Sequence, residues 1–209
     1  MKLSEIIMLI NFIMKVGFNM KYYSEHNNEY IENTKNADMS NLYEFFEKYL
    51  SKDSKKIMDL GFGSGRDSLY FKSKGYDVLA IDSTLEFCEY GKQIGLNVRC
   101  IKAEDLDYNN EFNGIWACAS LLHVSSKDLN KVFNKCYKAL KSDGIMYASF
   151  KYGSFNGIRD GRQFLDLNEE LILNYIIDSG FKLIETKITF DVRPNRDDKW
   201  LNVILKKIR

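Results

Sequence analysis

The stretch Lys56 to Ser68, KIMDLGFGSGRDS, decides the fold. An apolar run carries an acid, Asp59, and opens into three glycines at alternate positions, Gly61, Gly63 and Gly65. A helical pattern follows, and a second apolar run, VLAID, ends in Asp82. This reads as strand, glycine loop, helix and strand, an arrangement suited to a nucleoside. Without a Cβ, the glycines let backbone approach a ligand closely and adopt positive φ. A carboxylate at the end of the second strand accepts hydrogen bonds from ribose hydroxyls.

The glycine spacing is G-x-G-x-G, whereas a dinucleotide loop needs G-x-G-x-x-G to face a pyrophosphate. Ser64-Gly65-Arg66 does not supply that third spacing, so a nicotinamide-dependent oxidoreductase is only an alternative. Asp59 would repel a pyrophosphate and attract a cationic amino acid. The pattern resembles motif I of the class I S-adenosylmethionine (SAM) methyltransferases, whose cofactor carries an ammonium and a sulfonium. From about Tyr22 onward most of the chain shares the likeness. Gly65 to Asp82 is similar to the helix and second strand of tellurite-resistance-type and related small-molecule methyltransferases. Glu111 to Val124 resembles their fourth-strand motif, and Leu140 to Phe150 their fifth strand.

The resemblance implies an α/β, Rossmann-like, seven-stranded methyltransferase sheet with helices on both faces and a C-terminal antiparallel hairpin. The domain would span residues 21–209, and residues 1–20 would form an N-terminal extension or helix. The implied cofactor is SAM. Asp59, Gly61, Phe62, Gly63 and Gly65 would surround its methionine part, and Asp82 and Ser83 its ribose. Ala103 and Glu104 would face the adenine, although Lys102 stands where many relatives have an acid. Ala119 lies in the loop that runs along the cofactor. In the same loop, His123 is either a proton acceptor or a structural histidine. Substrate contacts are expected from Tyr23, in the covering N-terminal segment, and from Lys151, Tyr152 and Arg193. Arg159, Arg162 and Arg196 belong to the same basic group, because arginine forks suit carboxylates and phosphates.

Periodicity along the chain agrees with this plan. A helix is predicted over 41–50, strands over 56–60 and 77–82, and helices over 66–74 and 84–93. Strands follow over 97–102, 114–119 and 144–151, with a helix over 127–140 before the last of them. A final helix is predicted over 168–179, and strands 182–192 and 200–207 close the fold with no helix between them. The one proline, Pro194, falls in that last turn. Base-amine and cytosine-carbon methyltransferases need prolines at the end of the fourth strand, so a small-molecule acceptor is expected, O or N before S or a metalloid. The alternative without catalysis is a SAM-binding module.

Composition is permissive. A chain of 209 residues with 30 basic and 29 acidic side chains has net charge +1 and no long basic block, so no nucleic-acid partner is expected. Ile6 to Met14 is too short an apolar run to span a membrane, and no cleavage site follows it. Cys88, Cys100, Cys118 and Cys136 lack metal-ligand spacing and read as buried free thiols of a cytoplasmic protein, monomeric or homodimeric. No metal is expected.

Overall fold

The computed structural model describes residues 21–208, and the proposed N-terminal extension lies outside the described residues. After a helical stretch over 21–25 come α1 (Asn27–Thr34) and α2 (Ser40–Glu47). The alternating core is β1 (Lys56–Leu60), α3 (Arg66–Ser73), β2 (Asp77–Asp82), α4 (Leu85–Gln93), β3 (Asn97–Cys100) and β4 (Phe112–Ala117). It continues with α5 (Leu129–Ala139), β5 (Leu140–Lys151), β6 (Asn156–Arg159), β7 (Arg162–Leu165), α6 (Glu169–Ile176), β8 (Phe181–Phe190) and β9 (Lys199–Lys207).

Seven strands form one sheet in the order β3-β2-β1-β4-β5-β9-β8. The first five are mutually parallel, and β9 runs antiparallel between β5 and β8. Strand alternation sorts side chains onto two faces. Ile57, Trp116, Tyr147 and Ile204 meet Leu42, Tyr43 and Phe46 of α2 and Phe71 of α3. Met58, Leu60, Ile115, Met146 and Val203 meet Val132 and Phe133 of α5 and Ile172 of α6. Trp116 and Tyr147, paired in register across β4 and β5, stack with ring centroids 3.9 Å apart. The doubly covered parallel sheet is why its strands read as near-continuous apolar runs.

Two differences from the sequence reading concern strands. The fifth strand begins at Leu140 rather than Gly144, with Asp143 in a left-handed conformation (φ 61°) inside it. A separate two-stranded sheet, β6–β7, occupies a stretch read as loop. Its turn is Asp160-Gly161, both at positive φ (50° and 71°), the dipeptide that suits a two-residue hairpin. The thiol reading also needs correction. All four cysteines are free, but Cys100 is exposed at the end of edge strand β3 and Cys118 is half-buried. An edge strand with one neighbour cannot cover both sides of its last residue.

Candidate active site

Strand order reverses between β1 and β4, and ligands of open α/β sheets bind outside the carboxyl ends of strands at such a switch. The glycine loop leaves β1 there. It is pinned to the end of β2 by hydrogen bonds from Gly61 N and Phe62 N to Ile81 O (2.7 and 3.2 Å). The Asp82 carboxylate accepts from Gly63 N at 3.2 Å and from Thr84 N at 2.9 Å. Gly61, Gly63 and Gly65 have φ of 81°, 50° and 75°. A Cβ on Gly61 would lie 2.3 Å from Ser120 Cβ, and one on Gly63 would lie 2.8 Å from the Tyr30 ring. Ser120 in turn donates from Oγ to Leu60 O at 2.6 Å, so the β1 and β4 loops touch.

The acids of this end are shifted. Burial raises Asp82, opposed by the backbone donors of Thr84 and Gly63. Asp59 is buried and accepts from Ser68 Oγ at 2.6 Å; burial, then the nearby Asp67 charge, raises its carboxyl well above the usual range. A site that disfavours two carboxylates in this way favours a cation beside them. That, with the backbone cradle a Cβ would fill, fits SAM. Asp67 behaves oppositely. Burial pushes it up, but Arg66 and the hydroxyl and indole donors outweigh this and hold it below its ordinary value.

Beside the glycine loop lies a cavity of about 720 Å³. Of the residues nominated from sequence, Tyr23, Ala119, His123, Lys151, Tyr152 and Arg193 line it. The glycines, Asp59, Phe62, Asp82 and Ser83 do not, and cluster instead at the β1–β2 end. Ala103 and Glu104 lie in a short 3-10 turn after β3 and do not line the cavity. Ala119, on the wall, holds a left-handed φ of 50°, and its N–H donates to Ser149 Oγ at 2.8 Å. Backbone held this way in a non-glycine residue is a form of strain that gathers at functional sites.

His123 meets Tyr23, one hundred residues away in sequence. Its Nδ1 lies 2.7 Å from Gln163 O and its Nε2 lies 2.8 Å from the Tyr23 hydroxyl. A carbonyl only accepts, so Nδ1 carries the proton, Nε2 is the free base, and the Tyr23 O–H donates to it. His123 is lowered to about 4, by burial first and then by Arg162 and Lys151, against the Gln163 carbonyl, which raises it. Tyr23 is raised by burial, although Arg162 pulls it down. Tyr30 and Phe87 complete an aromatic cluster around Tyr23, with centroids 5.3 and 6.0 Å from it.

Several site residues escaped the sequence reading. The β6–β7 hairpin puts Phe164 on the cavity wall, its ring centroid 4.9 Å from that of His123, and sets the Gln163 carbonyl against His123. The Asp-Gly turn was the available signal. Asp191 and Asp198 matter by pairing with the nominated cations: Arg193 with Asp191 at 2.5 Å, Lys151 with Asp198 at 2.8 Å.

Residues 57–144 match the family model described as a methyltransferase domain. Phosphoethanolamine N-methyltransferase of Plasmodium falciparum is 28% identical over 102 residues, covering 45% of this chain and 38% of that protein. The chain thus spans well under half the length of the curated relative it matches. Among solved structures, the 1,6-didemethyltoxoflavin-N1-methyltransferase of Burkholderia thailandensis, with S-adenosylhomocysteine bound, superposes with TM-score 0.76 at 19% identity. That match covers 93% of this chain and 89% of the other. A SAM-dependent methyltransferase of Archaeoglobus fulgidus gives TM-score 0.68 at 14% identity, covering 89% and 100%. Residues 57–144 thus match a methyltransferase-domain family model, and the chain shares the fold of these SAM-dependent methyltransferases.

Proposed function

We propose that this protein methylates a small molecule held in the 720 Å³ cavity, at O or N, with Tyr23 and His123 receiving the acceptor's proton. The observation that carries the reading is the placement of that hydrogen-bonded pair on the cavity wall, beside the β4 loop that adjoins the glycine loop. SAM supplies an electrophilic methyl on a sulfonium, so the protein's work is alignment, exclusion of water and proton removal. The β4 loop and Tyr30 shape the side facing the glycines, and the two hairpins shape the acceptor side. As the acceptor forms its new bond it loses a proton to the Tyr23 oxygen, while the Tyr23 proton passes to His123 Nε2. The Gln163 carbonyl holds the Nδ1–H that completes an imidazolium.

Phosphoethanolamine, named in the relative from Plasmodium falciparum, belongs in the first acceptor panel with simple amines, phenols and carboxylic acids. A metalloid oxyanion belongs there too, for the likeness to tellurite-resistance-type enzymes. The test is acceptor-dependent formation of S-adenosylhomocysteine. His123→Ala should lower kcat by about 10²–10⁴-fold, the range for general acid–base groups, with S-adenosylhomocysteine affinity within about twofold of wild type. Because His123 is neutral above about 4, the free-enzyme acid limb of kcat/KM should fall near that value rather than near 6.5. Unchanged turnover in His123→Ala, or an acid limb at 6.5 that the substitution leaves in place, would remove His123 from the mechanism. A protein that binds S-adenosylhomocysteine and turns over nothing in the panel would instead favour the non-catalytic module.

No helix among the described residues is long and apolar enough to cross a membrane. With free thiols throughout, this supports action on a water-borne acceptor in the cytoplasm.

A further inference from the structure

The basic side chains of the cavity wall are not equivalent. Lys151, Arg159 and Arg193 each hold a carboxylate of their own, Asp198, Asp166 and Asp191, at 2.8, 2.8 and 2.5 Å. Arg162 is partly buried and has no carboxylate partner among the described residues, whereas Arg196 and Lys199, the other wall cations without an ion pair there, are exposed. Among the described residues its one hydrogen bond runs from Nη1 to the Tyr23 hydroxyl at 3.4 Å, and its buried Nε has no acceptor there. The guanidinium is instead held between rings, 4.4 Å from the Tyr22 centroid and 5.0 Å from Phe164. Rings attract the charge and fix the plane of the fork, but they leave most of its five N–H donors unused. Taking a cation partly out of water without an anion or acceptors is costly.

The residue is also rigidly placed. It follows the Asp160-Gly161 turn and pairs with Arg159 across the β6–β7 ladder. Gln163 Nε2 donates to Asn156 Oδ1 at 3.1 Å, tying the two strands together by their side chains. The hydroxyl that Arg162 touches is the one that meets His123, so a group bound to this fork lies next to the proton-accepting pair.

We propose that Arg162 anchors an oxyanion of the acceptor, a carboxylate or a phosphate, and that the substrate is therefore an anionic small molecule. This rests on the methyl-transfer reading of the same cavity. It deepens that reading by naming one fork among several cations, where the sequence alone grouped Arg162 with Lys151, Arg159, Arg193 and Arg196. An oxyanion there would also offset Arg162 and Lys151, the two charges that oppose an imidazolium at His123. The acceptor would then strengthen the base that takes its proton.

The test is calorimetric titration of protein saturated with S-adenosylhomocysteine, using phenyl phosphate and benzoate, with benzamide as the neutral probe. The anions should bind and benzamide should not. Arg162→Met should weaken the anions by at least about 30-fold, as expected for lost charge-assisted hydrogen bonds. Arg162→Lys, which keeps the charge and loses the fork, should weaken them about 3- to 10-fold. Arg193→Gln, whose guanidinium is already paired, should change them less than threefold. Equal anion affinity in wild type and Arg162→Met would overturn the proposal, as would tighter binding of benzamide than benzoate. If Arg162→Met does not fold, Arg162→Lys decides: affinity equal to wild type for both anions overturns it. Absent S-adenosylhomocysteine binding would count against the methyl-transfer reading instead, and titrating the anions without it would still report on Arg162.

Discussion

Gly61→Ala is expected to lower stability by about 2–5 kcal/mol and to abolish measurable binding of SAM and S-adenosylhomocysteine. Two costs combine. A left-handed φ of 81° penalises any L side chain by about 1–2 kcal/mol. The added methyl would also sit 2.3 Å from Ser120 Cβ, and overpacking of this kind costs about 1–3 kcal/mol. Relief requires the β1 and β4 loops to separate, which breaks the Ser120-to-Leu60 hydrogen bond and opens the cradle. Gly75→Ala is the matched control. Its φ is 89°, but nothing lies within 4 Å of the new methyl. It should cost only the backbone penalty and leave adenosyl binding unchanged. Urea unfolding and calorimetry on both variants separate the two contributions. Equal behaviour of the pair would show that crowding against Ser120 is not what the first glycine avoids.

Asp67→Ala is expected to cost about 3–5 kcal/mol, the range for breaking a buried charge pair from one side. The carboxylate sits at the start of α3 and is 7% exposed. It accepts from Arg66 Nε and Nη2 at 2.6 and 2.9 Å, from the Tyr43 hydroxyl at 2.6 Å and from Trp116 Nε1 at 2.8 Å. Its loss strands a half-buried guanidinium, a phenol and an indole beneath α2. The pH dependence has a fixed sign. The folded-state value is held below the unfolded one, so the contribution is present above the unfolded value of about 3.9 and is lost as pH falls through the folded value. The gap in denaturant midpoint between wild type and variant should therefore stay constant from pH 7 to about 4 and narrow as pH falls below that. A gap that does not narrow in acid would mean that packing, not charge, accounts for the loss.

The local half of the fold was legible because local chemistry dictates it. Lys56–Leu60 and Asp77–Asp82 coincide with the strands expected from their apolar runs, and Gly75 with its φ of 89° stops α3 as read. The closing hairpin, expected over 182–192 and 200–207, is Phe181–Phe190 and Lys199–Lys207. The β6–β7 hairpin was not found. Its strands are four residues each, too short for alternation to stand out, and the Asp-Gly signal sat inside a run of arginines that drew a chemical reading. The candidate site divides along the same line. The glycine loop and Asp82 lie within one βαβ unit, so their grouping follows from spacing. Tyr23, His123 and Arg162 are separated by 100 and 39 positions and meet only through tertiary folding. Which cations are already paired is likewise a property of side-chain placement, and pattern reading cannot rank Arg162 above Arg193.

The central claim is that the glycine cradle and Asp82 hold an adenosyl cofactor. Calorimetric titration of the full chain with SAM, S-adenosylhomocysteine and NAD, repeated on Asp82→Ala, tests it most directly. The account predicts that both adenosyl ligands bind and NAD does not. Asp82→Ala should weaken them about tenfold or more, since a hydrogen bond to a charged group is worth about 1.5–3 kcal/mol. A folded protein that binds neither adenosyl ligand, or binds both unchanged without Asp82, would contradict it.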